Sequence, residues 1–438
     1  MEWQVILLLI FVGLLVLMAT GMPIGFCFML INVIGVMIFF GGAVGLEQLI
    51  DSIFTSLATF ALLPVPLFIL MGEIMFHSGV ALIVMDIMDK WLGRLPGRLA
   101  LLAVASGSLF STLTGSSIAA TATLGSVLVP SMEKRGYKKP MSLGPILGSG
   151  GLAIMIPPSA MAVLLGAISE ISVGKILLAI IIPGLLMAGL YAGYIVIRCW
   201  LQRDLAPAYE IDATPLRQKI IGTVRYVLPL GLVVFLVVGV IILGVATPSE
   251  AAATGTLGTF LIVTLYGRLS WAVVKKSING TLKVTGMIYL IVAGATAFSQ
   301  ILSFSGATYG LANVINGLEV SPILVVVFMQ GIVLIMGGFM SIIAIMMITL
   351  PIFVPIIVNL NFDAVWFATL FLINVEMAAT TPPFGLNLYV MKGVVHGSTT
   401  TMGDIIVAAI PFLLCDIVAI VLVMAFPSLA LWLPGLTR

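Results

Sequence analysis

The chain has 438 residues, 61% of them hydrophobic and 8% charged, with a mean hydropathy of +1.27, so apolar runs near the spanning length of about 20 residues recur throughout. A net charge of +2 on scattered basic residues excludes a nucleic-acid partner. Cys27, Cys199 and Cys415 stand far apart without ligand spacing, which excludes a disulfide framework and a zinc site.

Met1-Glu2-Trp3-Gln4 lacks the basic stretch that opens a cleaved signal peptide, so Val5 to Ala19 and Met22 to Phe40 read as retained helices. Asp51 to His77, with Pro64 and Pro66, fits one long kinked crossing or two shorter elements. Glu73 and His77 near its end, and Asp416 in the last apolar segment, read as interfacial or packing groups. Basic clusters mark the cytoplasmic side: Lys90, Arg94 and Arg98; Lys134, Arg135, Lys138 and Lys139; Arg198 to Arg225; and Arg268 to Lys283. Leu99 to Met132 therefore starts and ends on that side. Two full crossings would give the same end points, and the small polar run Ser111-Thr112-Leu113-Thr114-Gly115-Ser116-Ser117 at its centre favours a re-entrant hairpin over them.

Met141 to Ser169 crosses outward, broken at Ile156-Pro157-Pro158-Ser159, and Ile176 to Arg198 returns. Gln202 to Lys219 is the one polar stretch long enough to link two halves. Ile221 to Ala246 and Ala251 to Tyr266 repeat the round trip, and Thr285 to Leu302 crosses outward. Pro322 to Leu360 forms a second hairpin from the outer face, with Met336-Gly337-Gly338-Phe339-Met340-Ser341 at its tip. Phe362 to Val395, broken at Thr381-Pro382-Pro383-Phe384, crosses inward, and both termini come out on the outer face. His396, beside Lys392, reads as solvated.

The two proline pairs belong to a repeat. Pro382 follows Pro157, Pro355 follows Pro130 and Ser341 follows Ser116 at one offset of 225 residues; further on, Gly403 answers Gly174 and Pro411 answers Pro183. The loop Glu133 to Lys139 carries four basic residues, whereas its counterpart Val358 to Ala364 carries none and one Asp363, so the second copy reads as inverted. The expected fold is an all-α polytopic membrane protein, an inverted repeat with two re-entrant hairpins and two broken helices. Its expected divisions are scaffold helices and an arm at 1–93, a first transport repeat at 94–197, and a cytoplasmic linker at 198–225. Second-half scaffold helices and an arm follow at 226–318, then a second transport repeat with the final helix at 319–438.

Paired breaks point to a transporter's binding site, because freed backbone at membrane depth must line protein or a wet cavity. The windows Leu99 to Met132, Pro140 to Ser169, Val320 to Phe362 and Met377 to Met391 hold no Asp, Glu, Lys, Arg or His. They offer hydroxyls, amides and carbonyls, hard neutral oxygens that suit an alkali cation, so sodium is the expected coupling ion. Its expected neighbourhood is Gly115, Ser116, Ser117, Pro157, Gly338, Ser341, Thr380, Thr381 and Pro382. Ser116 or Ser117 can cap the second arm of the first hairpin, and Thr381 suits an N-cap with Pro382 at the first helical position. Helix starts facing the cavity bind anions without basic side chains. A small organic anion is therefore the expected substrate, with a neutral polar solute as the alternative, held by Thr114, Ser116, Ser159, Ser341, Thr381 and Asn387. Glu376, before the second break, fits a proton carrier or a structural hydrogen bond. P-loop, HExxH and strand-linked dinucleotide signatures are missing, so neither ATP-driven export by this chain nor an enzyme is expected; a membrane-embedded enzyme is the distant alternative.

Thr114-Gly115-Ser116-Ser117 with Ala119-Ala120-Thr121 and Gly125, the loop ending Arg135-Gly136-Tyr137, Ile156-Pro157-Pro158-Ser159, and Asn374-Val375-Glu376 leading to Thr381-Pro382-Pro383-Phe384-Gly385-Leu386-Asn387 resemble the large membrane subunit of TRAP transporters, the DctM-like family. The resemblance spans nearly the whole chain. It implies an elevator-type carrier of the ion-transporter superfamily in the bacterial inner membrane, driven by sodium. It also implies a small four-helix membrane subunit on a separate chain, a periplasmic substrate-binding protein, and uptake of C4-dicarboxylates, sugar acids or sulfonates. A stand-alone sodium-coupled anion carrier of the same superfamily is the alternative. Relatives often carry Ser where this chain has Thr114, which keeps the hydroxyl, and Asp where it has Ser341, which loses a negative charge. A site without that charge is expected to tolerate a more strongly acidic anion such as a sulfonate.

Overall fold

A backbone in lipid must satisfy its own hydrogen bonds, and helices do so within one segment. The computed structural model describes residues 2–39, 41–92, 95, 97–114, 117–207, 215–317, 320–383, 385–395 and 400–436, without the side chains at 43, 110–114, 308, 312, 315 and 316. Among the described residues every regular element is helical. Among the described residues six helices are long and apolar enough to cross a membrane, seven if one bent pair counts as a span.

The first five helices are α1 (Trp3–Ala19), α2 (Ile24–Phe39), α3 (Ala43–Leu57), α4 (Pro64–Ser78) and α5 (Val80–Leu92). Asp51 to His77 is thus two elements. The chain turns between them because Thr59, extended, accepts a hydrogen bond from the Ala61 N–H at 3.3 Å, and Pro64 then opens α4, where its missing donor leaves no bond unmade. The first hairpin is α6 (Arg98–Thr114) and α7 (Ser117–Lys134). The first broken helix follows as α8 (Lys139–Met155) and α9 (Ala160–Ser169), bent by 45°. Then come α10 (Val173–Ala179) and α11 (Ile181–Leu201).

The second half opens with one helical span, α12 (Leu216–Ile242), which contains π-turns at Thr223–Val227 and Phe235–Gly239. Thr247 and Glu250 close a capping box at the start of α13 (Pro248–Leu265). Next, α14 (Trp271–Phe304) runs unbroken for 34 residues from its Ser270 cap, beyond both ends of the expected crossing Thr285 to Leu302. After α15 (Ala307–Gly317) come the second hairpin, α16 (Pro322–Gly337) and α17 (Ile342–Asn359), and the second broken helix, α18 (Ala364–Ala378) and α19 (Leu386–Val394). The chain closes with α20 (Met402–Ala425) and α21 (Ser428–Gly435). Both ends of α17 fall 225 residues after those of α7, and α18 starts 225 after α8.

Two packed groups result. In one, each hairpin lies on its own broken helix, α6 and α7 on α8, α16 and α17 on α18. The second arms also cross over, so that α7 packs on α19 and α17 on α9. Gly144 and Gly148 let α8 meet Phe412 of α20, since a Cβ at either would lie 2.6 Å from a ring carbon. In the other group α2, α3 and α4 surround α14, and α13 packs on α4. Asn32 of α2 fixes this layer by donating to the carbonyl of Gly294 at 2.6 Å.

Candidate functional site

The two breaks are built alike from different caps. In the first, Met155 ends α8, Ile156 is extended, and buried Ser159 caps α9 by accepting from the Ala162 N–H at 3.3 Å. In the second, α18 ends at Ala378 and the chain curls back, the Thr381 N–H donating to Ala378 O at 3.1 Å and the Asn387 N–H to Ala379 O at 3.0 Å. Both proline pairs hold one cis bond. The expected cap at Thr381 is corrected here. Its hydroxyl donates backward to Met377 O at 2.8 Å, and the helix restarts only at Leu386 with Gly385 at the cap. Pro382 and Pro383 have no N–H to give, so a turn intervenes before helical bonding resumes. A Cβ on Gly385 would stand 2.8 Å from Thr381 O, which the tight curl forbids.

The second hairpin seats its tip on the second break. A Cβ on Gly337 would lie 2.0 Å from the Cβ of Ala378, and one on Gly338 would lie 3.1 Å from Pro383 Cδ and 3.4 Å from Pro382 O. Ser341 caps α17, accepting from the Ala344 N–H at 3.3 Å. Gly338 is thereby set against Pro382, and Ser341 lines a cavity together with Ala379 and Asn387. On the first hairpin, Ser117 is the first residue of α7. Gly115, Ser116 and the side chain of Thr114 lie outside the described residues, as does His396.

The starts of α7, α9, α17 and α19 converge on one cavity of about 500 Å³. Ser117, Ala160, Ser341 and Asn387 mark the four on its wall, and α2, α4 and α14 close the other side. A helix start carries about half a positive charge, and no cationic side chain lies among the described residues that line this cavity. Ser159 and Pro157 are buried beneath the wall, and Ala160 and Met161 face the cavity in their place. Asn387 is fully buried, its Nδ2 donating to Thr380 Oγ1 at 3.4 Å while its Oδ1 has no partner. An unpaired buried acceptor on a cavity wall marks a place for a cation or a donor.

Two acidic side chains take positions the sequence does not reveal. Glu73, expected at an interface or in packing, lines the cavity from α4. No sequence pattern marks this, because the inward face of α4 is set by its packing on α14. Glu376 is buried beside Ser117, its carboxyl against Gly151 of α8, where a Cβ would come 2.9 Å from Oε1. Asp416 is also buried and accepts from the hydroxyl of Tyr191.

Residues 11–429 match the family model described as the DctM component of the tripartite ATP-independent periplasmic transporter. The chain belongs to the DctM family. It is similar to the C4-dicarboxylate TRAP transporter large permease protein DctM of Rhodobacter capsulatus, 30% identical over 98% of this chain and 99% of the relative. It is also similar to the ectoine/5-hydroxyectoine TRAP transporter large permease protein UehC of Ruegeria pomeroyi, 28% identical over 98% of each chain. Among solved structures, the YdaH transporter of Alcanivorax borkumensis, described as having an unusual topology, shares the fold with a TM-score of 0.62 at 16% identity, over 89% of this chain and 90% of that one. As a DctM-family protein the chain is a TRAP transporter large permease, a multi-pass protein of the bacterial inner membrane and not an enzyme.

Proposed function

We propose that this permease is sodium-driven, works with a small membrane subunit on a separate chain and a periplasmic binding protein, and imports a small organic anion. One observation carries the reading: four helix starts, two from hairpins and two from broken helices, meet on a cavity large enough for a small metabolite. The positive ends of the helices favour a carboxylate or sulfonate. Sodium enters as cargo. Among the described residues Asn387 Oδ1 and Thr380 Oγ1 supply hard neutral oxygens beside the second break, and the unpaired state of the first supports a cation there. Carbonyls beside Pro157, Gly338 and Pro382 extend the same donor set.

In this reading the hairpins, broken helices and α20 travel as one body against the layer of α2, α4 and α14, an elevator movement supported by the cavity lying between the two groups. The repeat is inverted, as the charge difference between its aligned loops supports. Relatives named for a C4-dicarboxylate and for an ectoine cover nearly the whole chain, so the fold itself does not fix the cargo.

The test is uptake into proteoliposomes holding both membrane subunits, with and without the binding protein and an inward sodium gradient. Uptake is expected to require both. Uptake that follows a pH gradient and ignores sodium would overturn the ion assignment, and uptake without the binding protein would show a stand-alone carrier.

A further inference from the structure

Glu376 of α18 stands 225 residues after Gly151 of α8, the offset that separates the starts of those two helices, and the two positions touch. A Cβ on Gly151 would lie 2.9 Å from Oε1 of Glu376 and 3.0 Å from its Cγ. Where α18 carries a carboxylate, the matching place on α8 leaves a hollow for it. Next along α8, Gly150 leaves a second hollow, since a Cβ there would lie 2.3 Å from Oγ1 of Thr121. Ser117, one turn before Thr121 on α7, joins the two. Its carbonyl oxygen lies 3.4 Å from the same Cβ position on Gly150, and its side chain neighbours the Glu376 carboxyl.

Glu376 is 2% exposed and Thr121 fully buried, yet among the described residues Oε1 and Oε2 of the first and Oγ1 of the second have no hydrogen-bond partner. Taking a carboxylate out of water costs free energy that a counter-charge or a full set of donors must offset. Asp416, a second buried carboxyl acting on Glu376, adds negative potential. A cation answers both needs. Oxygens of a carboxylate, of hydroxyls and of a carbonyl suit a hard ion such as sodium. Ser117 lines the cavity whereas Glu376 and Thr121 lie outside its lining, so Ser117 connects the cavity to this cluster. We propose that a sodium ion binds between α7, α8 and α18, held by Glu376, Thr121 and Ser117 and apart from the oxygens of Asn387 and Thr380 at the second break. This deepens the sodium reading and rests on it. Without the ion the packed hairpins and broken helices would fold around a bare charge, so binding at this site couples to stability.

The test is equilibrium binding of radioactive sodium to the two-subunit membrane complex in nanodiscs, with the melting temperature read in sodium and in choline at equal ionic strength. Glu376→Gln is expected to bind one sodium ion fewer than wild type. It should melt no lower than wild type in choline, because the substitution removes an uncompensated charge, and should gain less from sodium. Thr121→Val is expected to weaken one sodium site about tenfold, the low end of what losing a group around a metal costs, and Thr121→Ser to restore it. Asn387→Ala should leave this site filled. Wild-type sodium binding in Glu376→Gln, in number and affinity, would overturn the site and leave the sodium reading intact. So would a melting temperature lowered equally in choline and in sodium, the mark of a purely structural carboxyl. Wild-type protein that binds no sodium would overturn both readings.

Discussion

Gly337 and Ala378 touch so closely that a Cβ on the glycine would stand 2.0 Å from that of the alanine. The tip of one hairpin and the end of α18 are therefore packed without space for a side chain between them. Gly337→Ala must lift the tip off the break, an overpacking change of about 1–3 kcal/mol. The expected outcome is a lower melting temperature and a loss of sodium-driven uptake in protein that still reaches the membrane. Wild-type uptake would show that the contact is not part of the transporting state.

Asn387 carries the buried oxygen without a partner. If that oxygen holds sodium, Asn387→Ala raises the sodium concentration for half-maximal uptake by about tenfold, the equivalent of about 1.4 kcal/mol, and Asn387→Asp lowers it by adding a charge. Uptake titrated against sodium at fixed substrate checks this. A change in substrate affinity with unaltered sodium dependence would place the oxygen on the substrate instead.

Ser341 caps α17 on the cavity wall with a neutral hydroxyl. Ser341→Asp keeps the cap, since aspartate serves equally well there, and adds a negative charge to the anion side. Tighter sodium binding and weaker uptake are expected, weaker for a sulfonate than for a carboxylate. Competition between isethionate and succinate measures the ranking, and an unchanged ranking with unchanged sodium dependence would reject the role given to this position.

Tyr191 donates to Asp416 where both are buried. Tyr191→Phe strips the carboxyl of that donor and is expected to lower stability by about 1–3 kcal/mol. The pair lies outside the cavity lining, so substrate preference should stay as in wild type while the melting temperature falls. A shift in preference at constant stability would mean that the pair communicates with the site.

The breaks and the turn of the second hairpin were legible in the sequence because proline pairs and runs of small residues act locally: α8 stops at Met155, one residue before the first motif, and the second hairpin turns at the expected glycines. Thr381 misled because the cap rule assumes that the next N–H groups exist, and two prolines remove them. Glu73 was illegible for another reason. Its place depends on Gly280 of α14, more than 200 residues away, where a Cβ would come 2.4 Å from Oε2, and no spacing rule joins a carboxylate to the glycine that makes room for it. The crossing of the second arms is equally silent, since α7 and α19 meet through Gly125 against Val394 and Met391.

That crossing bears on how the protein is made. The start of α19 and its Asn387 lie late in a chain of 438 residues, so α6 to α9 enter the membrane long before their partners exist. Until then the first hairpin and first broken helix have no opposite arm to lean on, and their polar ends must be sheltered by the insertion machinery, by water or by the early scaffold helices. A chain cut between its halves would yield two fragments, each with a hairpin and a broken helix, and neither with all four helix starts of the cavity wall.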